Sequence, residues 1–226
     1  LITIEESPPN SKKIIEQKKL SMFDYRVWPF LVISAGFGIC NASLFQTSAF
    51  FFQDVIMPSS DEYIAFASIG FMLAGLGVLN GQLLIADRLQ TSPGSLIKMG
   101  VIFNCLSLFG YAFSESLVHA YICFFLFGLG NGMLGPGISS SLSLSVGKDY
   151  QGAAGGFLGM VIPIGHIASP LISMPLYTLN PSYPYLMGSS VMLMALVFIF
   201  SSKRHKWIRD KNYREDRNIE AFEGSD

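Results

Sequence analysis

The chain has 226 residues, of which 50% are hydrophobic and only 14% charged, with a mean hydropathy of +0.44. That excludes an ordinary soluble domain and predicts an all-α membrane protein with several spans. Net charge is −1, so no overall field suggests a nucleic-acid partner.

Leu1 to Asp24 reads as a cytoplasmic linker. Ser7-Pro8-Pro9-Asn10 breaks structure. Ile14, Ile15 and Leu20 among Lys12, Lys13, Lys18 and Lys19 fit two readings: a short amphipathic helix on an anionic membrane face, or a solvated linker. No signal peptide precedes the first apolar run, and the first residue is not Met. Both features fit a fragment, or one half of something larger. Residues 25–202 then form a transmembrane domain of six apolar runs. These cover Val27–Phe52, Tyr63–Ile85, a shorter Leu96–Phe113, Val118–Leu144, Ala153–Leu179 and Tyr185–Phe200. Each is expected to cross a hydrocarbon core as a helix. Residues 203–226 are a basic-then-acidic tail. Its Lys203-Arg204-His205-Lys206-Trp207 stretch is expected to anchor at the membrane surface.

Charge placement orients this map. All 15 Lys and Arg residues fall in or just after the linker (Arg26 included), near the connection 86–95 (Lys98 included), in the turn 147–152, or in the tail. The alternate connections carry Asp54, Asp61, Glu62 and Glu115 and no Lys or Arg. By the positive-inside rule both termini are cytoplasmic, in a multi-pass protein of the cell membrane (the inner membrane in a bacterium).

Breakers concentrate between Phe127 and Pro170. Gly132, Gly135 and Pro136 lie in the fourth run. In the fifth, Gly152, Gly156, Gly159, Pro163, His166 and Pro170 recur at steps of four and three, which puts them on one helical face. Lipid tolerates such breakers because neighbouring helices satisfy the freed backbone groups. This face either packs tightly or lines a route through the membrane. The three cysteines, Cys40, Cys105 and Cys123, all lie in apolar runs, which favours packing over a disulfide or thiolate metal site.

An internal echo links the first and fourth runs. Phe37-Gly38-Ile39-Cys40-Asn41-Ala42-Ser43-Leu44 and Phe127-Gly128-Leu129-Gly130-Asn131-Gly132-Met133-Leu134 share F-G-[IL]-x-N-[AG]-x-L. Gly70-Phe71 aligns with Gly156-Phe157 and sets Asn80 opposite His166. Two readings remain: a 3+3 inverted repeat, or chance similarity between Gly- and Phe-rich helices.

On these motifs the chain resembles the C-terminal half of a major facilitator superfamily transporter, helices seven to twelve, and most of all its drug:proton antiporter branch. Gly132-x-x-Gly135-Pro136 followed by Gln151-Gly152-x-x-Gly155-Gly156 is the strongest match. Gly156, Gly165 and Pro170 keep the spacing of the antiporter signature G-x8-G-x3-G-P, with Ser169 at a Gly position. Asp87-Arg88 resembles the loop motif G-x-x-x-D-R, with Leu83 at the Gly position. The resemblance implies alternating access with an N-terminal six-helix half, in the same chain or separate. It also implies a small organic solute, a proton gradient as energy source, no cofactor and no enzyme activity. The alternative is a transport-inactive six-span fragment or a membrane binding subunit.

Intramembrane polar groups usually face a bundle interior. The candidates for the solute or proton pathway are therefore His166, Asn41, Asn131, Gln46 and Asn80. Asp87 and Arg88 are the candidate gate or loop pair. Gly132, Gly135, Pro136, Gly156, Gly159, Pro163, Gly165 and Pro170 are assigned to helix packing. Phe37, Phe45 and Phe127 fit either an apolar pocket or the core. No metal-protease motif H-E-x-x-H occurs.

Overall fold

The computed structural model describes residues 20–58, 60–83 and 91–201. Its apolar runs fold as six α-helices: α1 (Trp28–Phe51), α2 (Tyr63–Asn80), α3 (Pro93–Ala112), α4 (Leu117–Ser145), α5 (Gln151–Leu179) and α6 (Tyr183–Ser201). No strand occurs among the described residues. All six helices are long and apolar enough to cross a membrane, as composition predicts. The linker up to residue 19, the Asp87-Arg88 motif and the tail from residue 202 lie outside the described residues.

Local chemistry sets the helix ends, and it moves some of them beyond the apolar runs. Ser92 caps α3 by accepting from the Ser95 N–H, and Pro93 follows where its missing N–H has no partner to lose. Ser116 caps α4 by accepting from the His119 N–H. The third span therefore starts three residues before Leu96, and is not especially short. Beyond Phe51, α1 continues as a π-helical turn, Phe52–Ile56.

Packing follows two helix triplets. α4 lies along α2 and α3, α1 lies along α5 and α6, and α3 closes against α6. Exchanging α1–α3 for α4–α6 leaves this set of pairings unchanged. The helices thus run as neighbours in the order α2, α4, α3, α6, α1, α5, with α1 and α4 also in contact.

Between helices in lipid the driving force is close van der Waals contact, so glycine marks the crossings. A Cβ on Gly128 would collide with the Ala74 carbonyl, and one on Gly77 with the Phe125 carbonyl. These two glycines weld α2 to α4. The α1–α5 crossing uses the same device: a Cβ on Gly38 would lie 2.7 Å from the Ile162 carbonyl, and one on Gly165 3.0 Å from the Ala35 carbonyl. Here Ser169 adds a hydrogen bond, its hydroxyl donating to the Ile39 carbonyl at 3.2 Å.

One end of the bundle is closed by buried rings. Phe51, Tyr111, Phe124 and Tyr185 come from the C-terminal ends of α1 and α3 and the N-terminal ends of α4 and α6. The Tyr111 and Tyr185 centroids are 4.7 Å apart in an edge-to-face contact, with Phe51 within 5.1 Å of both. This end carries the acidic connection between α1 and α2.

Candidate functional site

The two asparagines of the internal echo meet. Asn131 Nδ2 donates to Asn41 Oδ1 at 2.7 Å, and Asn41 Nδ2 donates to the Phe37 carbonyl at 2.9 Å. Asn131 is the middle residue of the Leu117–Ser145 helix, and Asn41 lies one residue before the middle of the Trp28–Ile56 span. The pair therefore crosses from α1 to α4 at mid-membrane depth. Asn41 is buried and Asn131 half-buried. The oxygen of Asn131 is shielded from water and has no hydrogen-bond partner among the described residues. Gln46 Oε1, on α1, is in the same condition. An unpaired buried acceptor is costly, so each calls for a donor.

Apolar surface flanks the pair. Phe45 follows Asn41 by one helical turn and stacks on Phe71 of α2, with centroids 5.2 Å apart and planes 18° apart. About half of its surface stays open, at 48% exposure. Phe37 is half-buried, whereas Phe127 is fully buried core. One turn from Asn131 along α4, a Cβ on Gly135 would meet nothing within 4 Å.

His166 lies near the middle of α5, on the side away from α1. Its Nδ1 is 2.9 Å from the Ile162 carbonyl of its own helix. A carbonyl only accepts, so Nδ1 carries the proton and Nε2 is the nitrogen open to a second one. Pro170 has no N–H, so the His166 carbonyl also loses its helical donor. Gly152, Gly156, Gly159, Pro163 and His166 are all exposed, and no side chain or backbone lies within 4 Å of a Cβ built on Gly156 or Gly159. The periodic face is thus real and uncovered by any described helix. Gly132 and Gly165 do pack against backbone. Asn80 turns back on its own helix, donating to the Leu76 carbonyl at 2.8 Å. Neither His166 nor Asn80 is hydrogen-bonded to the asparagine pair.

Two ties at the helix ends have no signal in hydropathy. Tyr177 of α5 donates to Asp54 Oδ2 at 2.8 Å, joining α5 to the π-helical turn after α1. At the other end Arg26 forms an ion pair with Asp24 at 2.8 Å, and the Ser145 hydroxyl of α4 shares its one hydrogen between the Leu142 carbonyl at 2.8 Å and the Arg26 carbonyl at 3.1 Å. The hydrogen bond from the Arg26 side chain holds the Asp24 carboxyl below the usual carboxylate range. Among the described residues no group of three or more His, Cys, Asp or Glu side chains has metal-site geometry.

The family profile described as Major Facilitator Superfamily matches residues 1–170. An uncharacterized MFS-type transporter of Bacillus subtilis (strain 168), YfkF, is 29% identical over 105 residues, or 46% of this chain and 27% of that protein. Among solved structures, the in meso crystal structure of the POT family transporter PepTSo aligns with a TM-score of 0.67 at 20% identity. That alignment covers 80% of this chain and 37% of the other, and it carries the fold alone. The chain thus spans well under half the length of the relatives it matches. With 170 of its 226 residues matched to one family and six helices able to cross a membrane, the chain belongs to the Major Facilitator Superfamily as a multi-pass membrane protein.

Proposed function

We propose that this chain is the C-terminal six-helix half of a secondary active transporter. It moves a small organic solute by alternating access, rocking against an N-terminal half. Transport is proton-coupled export, in the manner of the drug:proton antiporter branch, with both termini cytoplasmic. The observation that carries this reading is the Asn41–Asn131 bond at mid-membrane, where two helices of exchangeable packing meet around unpaired acceptors. The same pairing pattern supports a 3+3 inverted repeat. The uncovered Gly–Pro–His face of α5 supports a missing partner half and gives His166 Nε2 a place in proton coupling.

The test is dye and drug efflux from proteoliposomes under an imposed pH gradient. The chain alone, the chain with its N-terminal half, and that pair with His166→Ala are compared. Gradient-driven efflux is expected only with both halves, falling about a hundredfold in His166→Ala, the lower end of the range for loss of a positioned proton-transfer group. Efflux by the chain alone would overturn the half-carrier reading. Full efflux in His166→Ala would leave the carrier and remove the histidine from coupling.

A further inference from the structure

Residues 20–27 lead into α1, and their burial alternates. Leu20, Met22, Asp24 and Arg26 are half-buried, while Ser21, Phe23 and Tyr25 are exposed. Leu20 and Met22 pack against the buried core, and Val27 is fully buried. The segment is thus held as a strap across this end of the bundle. The Asp24 carboxylate shapes it. Oδ1 accepts from the Arg26 backbone N–H at 3.0 Å and from Arg26 Nε at 3.1 Å, and Oδ2 accepts from Nη2 at 2.8 Å. The same guanidinium lies 5.8 Å from the centre of the Tyr25 ring. What the strap turns outward is aromatic: Phe23 is 90% exposed and Tyr25 73%.

Their position says what covers them. Trp28 opens a helix that crosses the membrane, so the residues just before it lie at a membrane surface. Trp28 packs on Phe198 of α6, with centroids 5.6 Å apart. The neighbouring Val197 and Phe200 of α6 are apolar and more than half exposed. The outer side of the strap therefore continues an apolar helix flank. We infer that Phe23 and Tyr25 are seated in the lipid headgroup layer, as an anchor for the entry to α1, and that Asp24 is a built-in counter-ion that keeps Arg26 from gathering anionic lipid there. Rings left in water at the end of a span are costly, and the headgroup layer takes their apolar bodies while leaving a phenol hydroxyl wet. An unpaired guanidinium at that depth binds phosphate and favours acidic headgroups. Here Nε and Nη2 are both engaged by Asp24, and the pair carries no net charge.

Photocrosslinking tests both parts. The photoreactive residue p-benzoylphenylalanine replaces Phe23 or Tyr25 in the full-length protein, which is reconstituted into nanodiscs of equal phosphatidylcholine and phosphatidylglycerol with matched acyl chains. Adducts are identified by mass spectrometry. Phospholipid adducts are expected from both positions. Adducts to protein alone, or no lipid adduct at either position, would overturn the anchor. Asp24→Asn keeps the Oδ1 acceptor that the turn uses and removes the charge, since Asn supports the same turn. It should raise the ratio of phosphatidylglycerol to phosphatidylcholine adducts about fivefold over wild type, the scale of one uncompensated Arg at an anionic surface. Phosphatidylcholine adducts at the wild-type yield report an intact strap. Adding Arg26→Gln to Asp24→Asn should return the ratio to the wild-type value. Arg26→Gln alone leaves Asp24 uncompensated and should shift the ratio the other way. An unmoved ratio in both single variants, or a raised ratio that survives in the double variant, would overturn the counter-ion role. The readout is lipid contact, so it is independent of whether the protein drives efflux.

Discussion

Gly128→Val is expected to prevent assembly of the six-helix bundle. Even a single Cβ at this position runs into the Ala74 carbonyl, and neighbouring backbone atoms of α2 leave it no side room. The obstacle is main chain, so no rotamer change relieves it. Separating α2 from α4 also opens the crossings at Gly77 and Gly132, which lie against the Phe125 and Val78 carbonyls. Overpacking a well-filled core costs about 1–3 kcal/mol, and more where backbone must move. Gly128→Ala should therefore lower the thermal midpoint clearly, and Gly128→Val should abolish a monodisperse peak on size-exclusion chromatography in detergent. Gly156→Ala is the contrast. Its Cβ meets nothing within 4 Å, and the gain in helix propensity is up to about 1 kcal/mol, so in the isolated chain it should be neutral or stabilising. Loss of stability from Gly156→Ala in a full-length carrier alone would locate a partner helix on that face. An unchanged midpoint in Gly128→Ala would show that the α2–α4 crossing relaxes freely, contrary to this packing.

The six spans were legible because a hydrocarbon core demands long apolar helices, and hydropathy reads that demand directly. Their ends were less so, since Ser92 and Ser116 act through side-chain caps that hydropathy does not weigh. The glycine pattern was half legible. Steps of four and three define a face, but not what covers it. Gly165 proved to be a crossing, while Gly156 and Gly159 stand open. Gly77 and Gly128 each open a G-x-x-x-G spacing, with Gly81 and Gly132, but the spacing does not say which two helices meet there. The echo marked Asn41 and Asn131 as equivalent residues, yet their mutual bond depends on α1 meeting α4, a long-range fact. His166 stood out as an ionisable group in an apolar run, while its bond to its own helix was hidden. Ser169 was visible only as a departure from a glycine signature, and that departure is what lets α5 bond to α1. The Tyr177–Asp54 tie joins residues 123 apart in sequence and had no signal at all.

The two buried tyrosines of the aromatic end should respond in opposite directions to the same change. The Thr47 hydroxyl gives its one hydrogen to the Ser43 carbonyl at 2.7 Å, so at the 2.9 Å contact it is Tyr185 that donates to Thr47. Tyr185→Phe keeps the ring and loses this bond, a destabilisation of about 1 kcal/mol. The Tyr111 hydroxyl is also buried but has no partner among the described residues. Tyr111→Phe keeps the edge-to-face contacts with Tyr185 and Phe124 and removes a stranded polar group, which should be neutral or stabilise by up to about 1 kcal/mol. Truncation is far more severe in both cases. Tyr185→Ala or Tyr111→Ala empties a site that is at most 1% exposed, at a cost of about 3–5 kcal/mol for a buried aromatic. Thermal unfolding of the purified protein in one detergent compares all four variants. Equal destabilisation by the two Tyr→Phe changes would mean that the Tyr111 hydroxyl is as well bonded as that of Tyr185. A rise for Tyr111→Phe against a fall for Tyr185→Phe would show that the ring contacts, with a single hydroxyl bond, hold this end of the bundle shut.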